Sequence, residues 1–210
     1  MPRLSPKAKR RSLQSPSDLA NPVTWLIVGL GNPGPTYSST RHNVGYLVAD
    51  VLAARMGAGW KSHRASRAEV VEGRLAGERV VLGRCRSFMN ESGGPVSAMA
   101  KFFDVEPDHL IAIHDELDID FGALRIKFGG GDNGHNGLKS IRQSIGTGDF
   151  YRVRVGIGRP PGRQSVHDFV LKPYSAAERK DLPTYVEEAA DAVESLISQG
   201  LEATQSAFNR

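Results

Sequence analysis

The apolar run from Trp25 to Val28 breaks off into Gly29-Leu30-Gly31-Asn32-Pro33-Gly34-Pro35, and this junction constrains the fold more than any other stretch of the chain. Gly29, Gly31 and Gly34 fit G-x-G-x-x-G after a strand, and Asp50 lies about where a dinucleotide fold places its ribose-binding acid. The prolines argue against that reading. A phosphate-binding loop runs directly into a helix whose free N–H groups face the ligand, whereas Pro33 and Pro35 each remove a donor and disfavour helix in the residue before them. A helical apolar stripe starts only at Val44 and continues through Leu47, Val48, Val51 and Leu52. The sequence therefore predicts strand, irregular loop, then helix, and the loop carries Asn32, Tyr37, Arg41, His42 and Asn43.

Strand and helix signals alternate beyond this point. Strands are expected over 24–28, 69–75, 79–84, 110–114, 123–128 and 152–157, with Ala76-Gly77-Glu78 as a hairpin turn. Helices are expected over 44–56, 94–103 and 136–145, with a further one at the C-terminus. That last helix is expected to start at Ser175, where Ser175 and Glu178 match a capping box, and to be broken or kinked at Pro183. The pattern is that of a single-domain three-layer α/β/α sandwich with a mixed, mostly parallel twisted sheet over 24–210. Residues 1–23 are rich in Pro, Ser, Lys and Arg and are expected to form a disordered basic extension.

Charge is informative once it is located. The tail holds Arg3, Lys7, Lys9, Arg10 and Arg11 against Asp18, which equals the +4 of the whole chain. The body is neutral but partitioned: residues 104–120 contain seven acids and no Lys or Arg, while residues 122–163 contain eight basic residues against Asp132 and Asp149. Such a middle segment can present a basic face to phosphate, although charge alone equally fits a solvated surface. No apolar run approaches the roughly eighteen residues of a membrane span. The single Cys85 excludes an internal disulfide, is expected to be buried, and fits a cytoplasmic setting.

Among the six histidines, His63, His109 and His167 lie near turns or strand ends and are expected to be solvated. His42 and His135 differ, because each precedes an Asn and a predicted helix and follows a loop rich in Gly or Pro. Asp115 falls just past the end of the apolar strand 110–114. A carboxylate there either orients an imidazole and raises its basicity toward water, or merely ends a strand in solvent. There is no G-x-S-x-G, no H-E-x-x-H, no paired Cys/His spacing and no Walker A loop. What remains for a hydrolase is attack by a histidine-activated water. Asn90 and Asn136 carry amides suited to a peptide backbone, and Met89 offers an adaptable apolar contact. The Gly129–Gly134 stretch is left open as an anion nest, a lid or a linker.

Taken together, Gly29-Leu30-Gly31-Asn32-Pro33-Gly34, Thr40-Arg41-His42-Asn43, Phe88-Met89-Asn90-Glu91-Ser92-Gly93, His114-Asp115-Glu116-Leu117-Asp118 and the Gly129–Lys139 segment closely resemble the bacterial-type peptidyl-tRNA hydrolase family. The resemblance runs from about Trp25 to the C-terminus. It implies a monomeric, cytoplasmic esterase needing no metal or cofactor, which cuts the bond between a peptide and the 3′ ribose of tRNA. By resemblance His42 is the general base, Asp115 its orienting partner and Asn32 a further catalytic residue. Tyr37, Met89, Asn90, His135 and Asn136 would surround the peptide end and the water. Lys127 and Arg154 match positions associated with the tRNA 5′ phosphate and acceptor stem, and Lys139 and Arg142 are further phosphate candidates. The alternative is a non-catalytic RNA-binding protein on the same scaffold, against which the intact His42, Asp115, Asn32, Asn90 and Asn136 argue. The basic tail is a departure from the family pattern.

Overall fold

The structure, a computed structural model, describes residues 23–209. The expected disordered extension over 1–23 therefore lies, except for Val23, outside the described residues. One sheet of seven strands has the order β2-β3-β4-β1-β5-β7-β6. Its strands are β1 (Thr24–Gly29), β2 (Lys61–His63), β3 (Ala68–Leu75), β4 (Glu78–Cys85), β5 (Leu110–Glu116), β6 (Leu124–Phe128) and β7 (Tyr151–Gly156). β4, β1, β5 and β7 run parallel at the centre, while β2 and β3 on one side and β6 on the other add by antiparallel pairing.

The two-residue period of the central strands explains the three layers. In β1, Ile27 faces the core shared with α1 (Val44–Arg55) and α5 (Glu178–Gln199), whereas Leu26 and Val28 face the core shared with α2 (Gly93–Phe102) and α3 (Asn136–Ile145). In β5, Ile111 and Ile113 alternate in the same way with Leu110 and Ala112. With both faces covered, these strands read as continuous apolar runs.

Several expectations are corrected. β2 and the five-residue α4 (Val166–Val170) were not anticipated, and Gly200 separates α5 from a further helix, α6 (Leu201–Phe208). The Ser175–Glu178 capping box forms, with Ser175 N donating to Glu178 Oε2 at 2.6 Å, but the regular helix begins only at Glu178. It then continues through Pro183. Pro183 and Arg179 are both exposed, a setting in which water can satisfy a carbonyl that loses its donor. Asp50 serves no nucleotide loop, since its carboxylate accepts from Trp60 Nε1 and Arg84 Nη1.

The glycines after β1 have a packing role. A Cβ at Gly29 would overlap the Gly45 carbonyl of α1, and one at Gly45 would overlap the Ile113 carbonyl of β5. Only glycine lets the start of α1 rest on the ends of β1 and β5. The turn immediately before that helix start contains His42.

Candidate active site

Residues 41–43 form one turn of 3-10 helix whose three side chains are all buried, and it delivers His42 to the C-terminal end of β5. There His42 Nδ1 lies 2.8 Å from Asp115 Oδ1. The same oxygen is 2.9 Å from Nε2 of His135, the residue preceding α3. Proton positions follow from the remaining contacts. His135 Nδ1 accepts from Gly137 N and Leu138 N, capping α3, so the ring proton resides on Nε2 and is donated to Asp115. The ionised carboxylate likewise requires a donor from His42 Nδ1. His42 Nε2 is left as the acceptor nitrogen, without a protein partner among the described residues, and His42 lines a cleft of about 580 Å³.

Asp115 is 4% exposed. Burial alone would push its carboxyl up, but electrostatic attraction to the His42 and His135 rings and their two hydrogen bonds outweigh it and hold the group well below the usual carboxylate range. His114 sits next to it in the chain and is fully buried, its Nδ1 donating to the Asp115 carbonyl at 2.7 Å. Burial first, and then the neighbouring His135, keeps it far below the ordinary imidazole range, so it is neutral.

Asn32 is fixed from three directions. Asn32 N donates to Asn43 Oδ1 at 2.9 Å, Asn43 Nδ2 donates to Asn32 O at 2.8 Å, and Met89 N donates to Asn32 Oδ1 at 2.7 Å. This last bond settles the orientation of the amide: the carbonyl side is occupied, and the NH₂ side of Asn32, in a residue that lines the same cleft, has no protein partner among the described residues. Tyr37, Met89, Asn90, His135 and Asn136 also line it. Asn90 and Asn136 are exposed, and Tyr37 meets Phe88 edge-on with ring centroids 6.1 Å apart. A further wall comes from α4 and the residue after it, through Val166, His167, Val170 and Leu171. Arg41 anchors this wall, donating to the carbonyls of Lys172 and Pro173 and pairing with Glu178 at 2.7 Å.

A second cavity, of about 310 Å³, adjoins the cleft and is lined by Lys127, Arg152 and Arg154 together with Glu116, Asp118 and Asn133. Glu116 and Asn133 line both cavities. Arg152 is completely buried and points under the Gly-rich loop, bonding the carbonyls of Gly129, Gly130 and Gly148. Burial and the nearby Arg142 and Arg154 bring it down to about 10. Burial, Arg152 and Arg154 also lower Lys127, which has no ion-pair partner among the described residues. Arg154 is held by Glu116 at 3.0 Å. Lys139 and Arg142 lie apart from this cavity, on another of about 340 Å³ shared with Asp132, to which Arg142 is paired at 2.6 Å.

His42, Asp115 and His135 are also the group of metal-ligating side chains that the described residues bring together. Their N···O separations of 2.8 and 2.9 Å are hydrogen-bond distances, shorter than the roughly 3.3 Å between tetrahedral ligands about 2.0 Å from a zinc ion. The carboxylate itself is what joins the two rings.

Two histidines depart from expectation. His63 is partly buried, bonded to Ser66 and packed on Phe102 with ring centroids 4.5 Å apart, and His109 packs at a tilt against Trp25 with centroids 4.9 Å apart. Sequence reasoning missed Asn43, His114, Glu116, Asn133 and Arg152 as site residues.

Known proteins resemble this chain from residue 26 onward. A family model described as Peptidyl-tRNA hydrolase matches residues 26–210. A protein named Peptidyl-tRNA hydrolase from Streptomyces coelicolor is 59% identical over 190 residues, covering 88% of this chain and 94% of that one. Another of the same name from Rhodococcus erythropolis is 60% identical over 182 residues, covering 87% and 96%. The crystal structure of peptidyl-tRNA hydrolase from Acinetobacter baumannii is similar with a TM-score of 0.83 at 34% identity, covering 89% of this chain and 94% of that chain.

Proposed function

The chain belongs to the peptidyl-tRNA hydrolase family, and from that premise we propose how its own residues cut the ester between a peptide and the 3′ ribose of tRNA. It is a hydrolase acting on peptidyl-tRNA. The observation that carries the mechanism is the single Asp115 oxygen held by His42 Nδ1, which leaves His42 Nε2 as a base in the cleft.

His42 Nε2 takes a proton from a water molecule as that water attacks the ester carbonyl. Asp115 fixes the tautomer and stabilises the imidazolium that forms, with His135 donating to the same carboxylate oxygen. Negative charge developing on the carbonyl oxygen is met by the free NH₂ of Asn32, whose orientation the Met89 amide fixes beforehand. Collapse of the tetrahedral intermediate expels the ribose oxygen, which recovers the proton from His42. An ester needs less activation than an amide, so this sequence requires no covalent nucleophile. Cys85 supplies none, since it is buried and its thiol is pushed up to about 12.

The amides of Asn90 and Asn136 bind the peptide backbone, while Tyr37, Met89 and the α4 wall pack against its side chains. Lys127 and Arg154 receive a tRNA phosphate at the 5′ end and acceptor stem, and Lys139 and Arg142 extend the contact. Binding through the backbone makes the enzyme nearly indifferent to tRNA sequence. No helix among the described residues is long and apolar enough to cross a membrane. We place the enzyme, as a monomer, in the cytoplasm, where charged tRNA is used.

The test is mass analysis of enzyme quenched with acid during turnover of N-acetyl-aminoacyl-tRNA. Direct water attack predicts no protein adduct at any time. An acyl adduct that rises and decays at the rate of turnover would overturn the mechanism.

A further inference from the structure

Glu116 is 5% exposed, lies between the catalytic cleft and the cationic cavity, and takes no part in the chemistry derived above. Both of its oxygens are engaged, and in opposite directions. Oε2 accepts from Arg154 Nε and Nη2, each at 3.0 Å. Oε1 accepts from Asn133 Nδ2 at 2.8 Å and from Asp118 N at 3.3 Å. Asn133 also donates to Asp118 Oδ2 at 3.0 Å, and does so from a left-handed backbone position, φ +50°, that few residues other than glycine adopt. Asn133 belongs to the Gly-rich loop whose far end Arg152 holds by the carbonyls of Gly129 and Gly130. One buried carboxylate thus ties the position of Arg154 to that of the loop leading to His135 and Asn136.

We propose that Glu116 is a positioning residue that sets the register between the phosphate-binding cavity and the hydrolytic cleft; this rests on the functional reading given above. The charge arrangement supports it. With Nε and Nη2 taken, Arg154 offers only its remaining N–H groups, whereas Lys127 is in ion-pair contact with no carboxylate among the described residues. A phosphate entering the cavity is therefore drawn to the Lys127 side and meets Arg154 as a fixed wall. The acceptor end of the tRNA is docked at one distance from His42, and a loose Arg154 would permit others. A carboxylate that only relieved repulsion among cations would need no bond to Asn133, nor a place on both cavities.

The experiment compares Glu116→Gln and Asn133→Gly with the unmodified enzyme, using N-acetyl-aminoacyl-tRNA for kcat and KM and uncharged tRNA for affinity across a salt series. Glu116→Gln keeps the shape, removes the charge and releases Arg154. It should lower kcat about ten- to a hundredfold through misplacement. Its affinity for tRNA should be unchanged or tighter, with a salt dependence steeper by about one unit for the freed cation. Asn133→Gly retains the left-handed backbone without strain and loses both hydrogen bonds. It should lower kcat in the same direction with no change in salt slope, and it carries the test if Glu116→Gln fails to fold. Unchanged kcat in the folded variants, or weaker tRNA binding at constant kcat, would show that Glu116 only shapes the cavity. If the unmodified enzyme does not hydrolyse this substrate, the functional reading itself fails.

Discussion

Replacing Asp115 with Asn is the most discriminating change to the charge of the site. The amide is isosteric, and its carbonyl can still accept from His42 Nδ1 and His135 Nε2 where Oδ1 does now, at 2.8 and 2.9 Å. What disappears is the negative charge facing the imidazolium formed in the transition state. Two charges about 4 Å apart at an effective dielectric constant near 20 interact by about 4 kcal/mol. At about 1.4 kcal/mol per factor of ten, the expected loss in kcat is roughly a thousandfold. If the amide rotates to present its NH₂, His42 must change tautomer and lose its base, so the true loss is at least this large. The assay is single-turnover hydrolysis of N-acetyl-aminoacyl-tRNA at saturating enzyme, with tRNA affinity measured in parallel and expected to be unchanged. A variant within tenfold of the normal rate would refute the role given to the carboxylate. The same substitution carries a pH signature. Because the folded protein holds the Asp115 carboxyl below its ordinary range, its contribution to stability is complete above the unfolded value of about 4 and drains away as pH falls further. Urea midpoints should therefore fall less between pH 7 and pH 3 in Asp115→Asn than in the unmodified protein.

Asn32→Asp keeps an acceptor for Met89 N but removes the free NH₂, so kcat should drop about a hundred- to a thousandfold with KM little altered; an effect confined to KM would assign Asn32 to binding. Lys127→Ala should weaken tRNA binding and flatten its salt dependence by about one unit, and an unchanged slope would remove it from the phosphate contact.

The parts of the site legible in the sequence were those fixed by local chain geometry. Two prolines forced an irregular loop before α1 that carries His42, whereas Asp115 stayed open between an imidazole partner and a solvated strand end; it lies buried inside β5, because the strand runs on to Glu116 instead of stopping at residue 114. The helix over 136–145 followed from its apolar period and is found with those bounds. What escaped depends on segments far apart in the chain. That one Asp115 oxygen serves two histidines requires the turn at 41–43 and the start of α3 to meet over β5, which no spacing encodes. Arg152 and Arg154 were visible as charge, but not that Arg152 is buried beneath glycine carbonyls while Glu116 holds Arg154. β2 was missed because Lys61-Ser62-His63 has no apolar alternation. α4 did carry a signal: Ser165 caps it by accepting from Asp168 N at 3.1 Å, a Ser-x-x-Asp pattern readable in advance. Pro183 misled because the cost of a proline inside a helix depends on whether the orphaned carbonyl faces water.

The central claim is that His42 activates water directly. Its most direct test is release of N-acetyl-aminoacyl groups from tRNA in EDTA, by the purified enzyme and by His42→Ala, with unblocked aminoacyl-tRNA alongside. The account predicts rapid EDTA-resistant cleavage of the blocked substrate alone, abolished in His42→Ala while tRNA affinity persists. Near-normal kcat in His42→Ala, or cleavage that stops in EDTA, would contradict it.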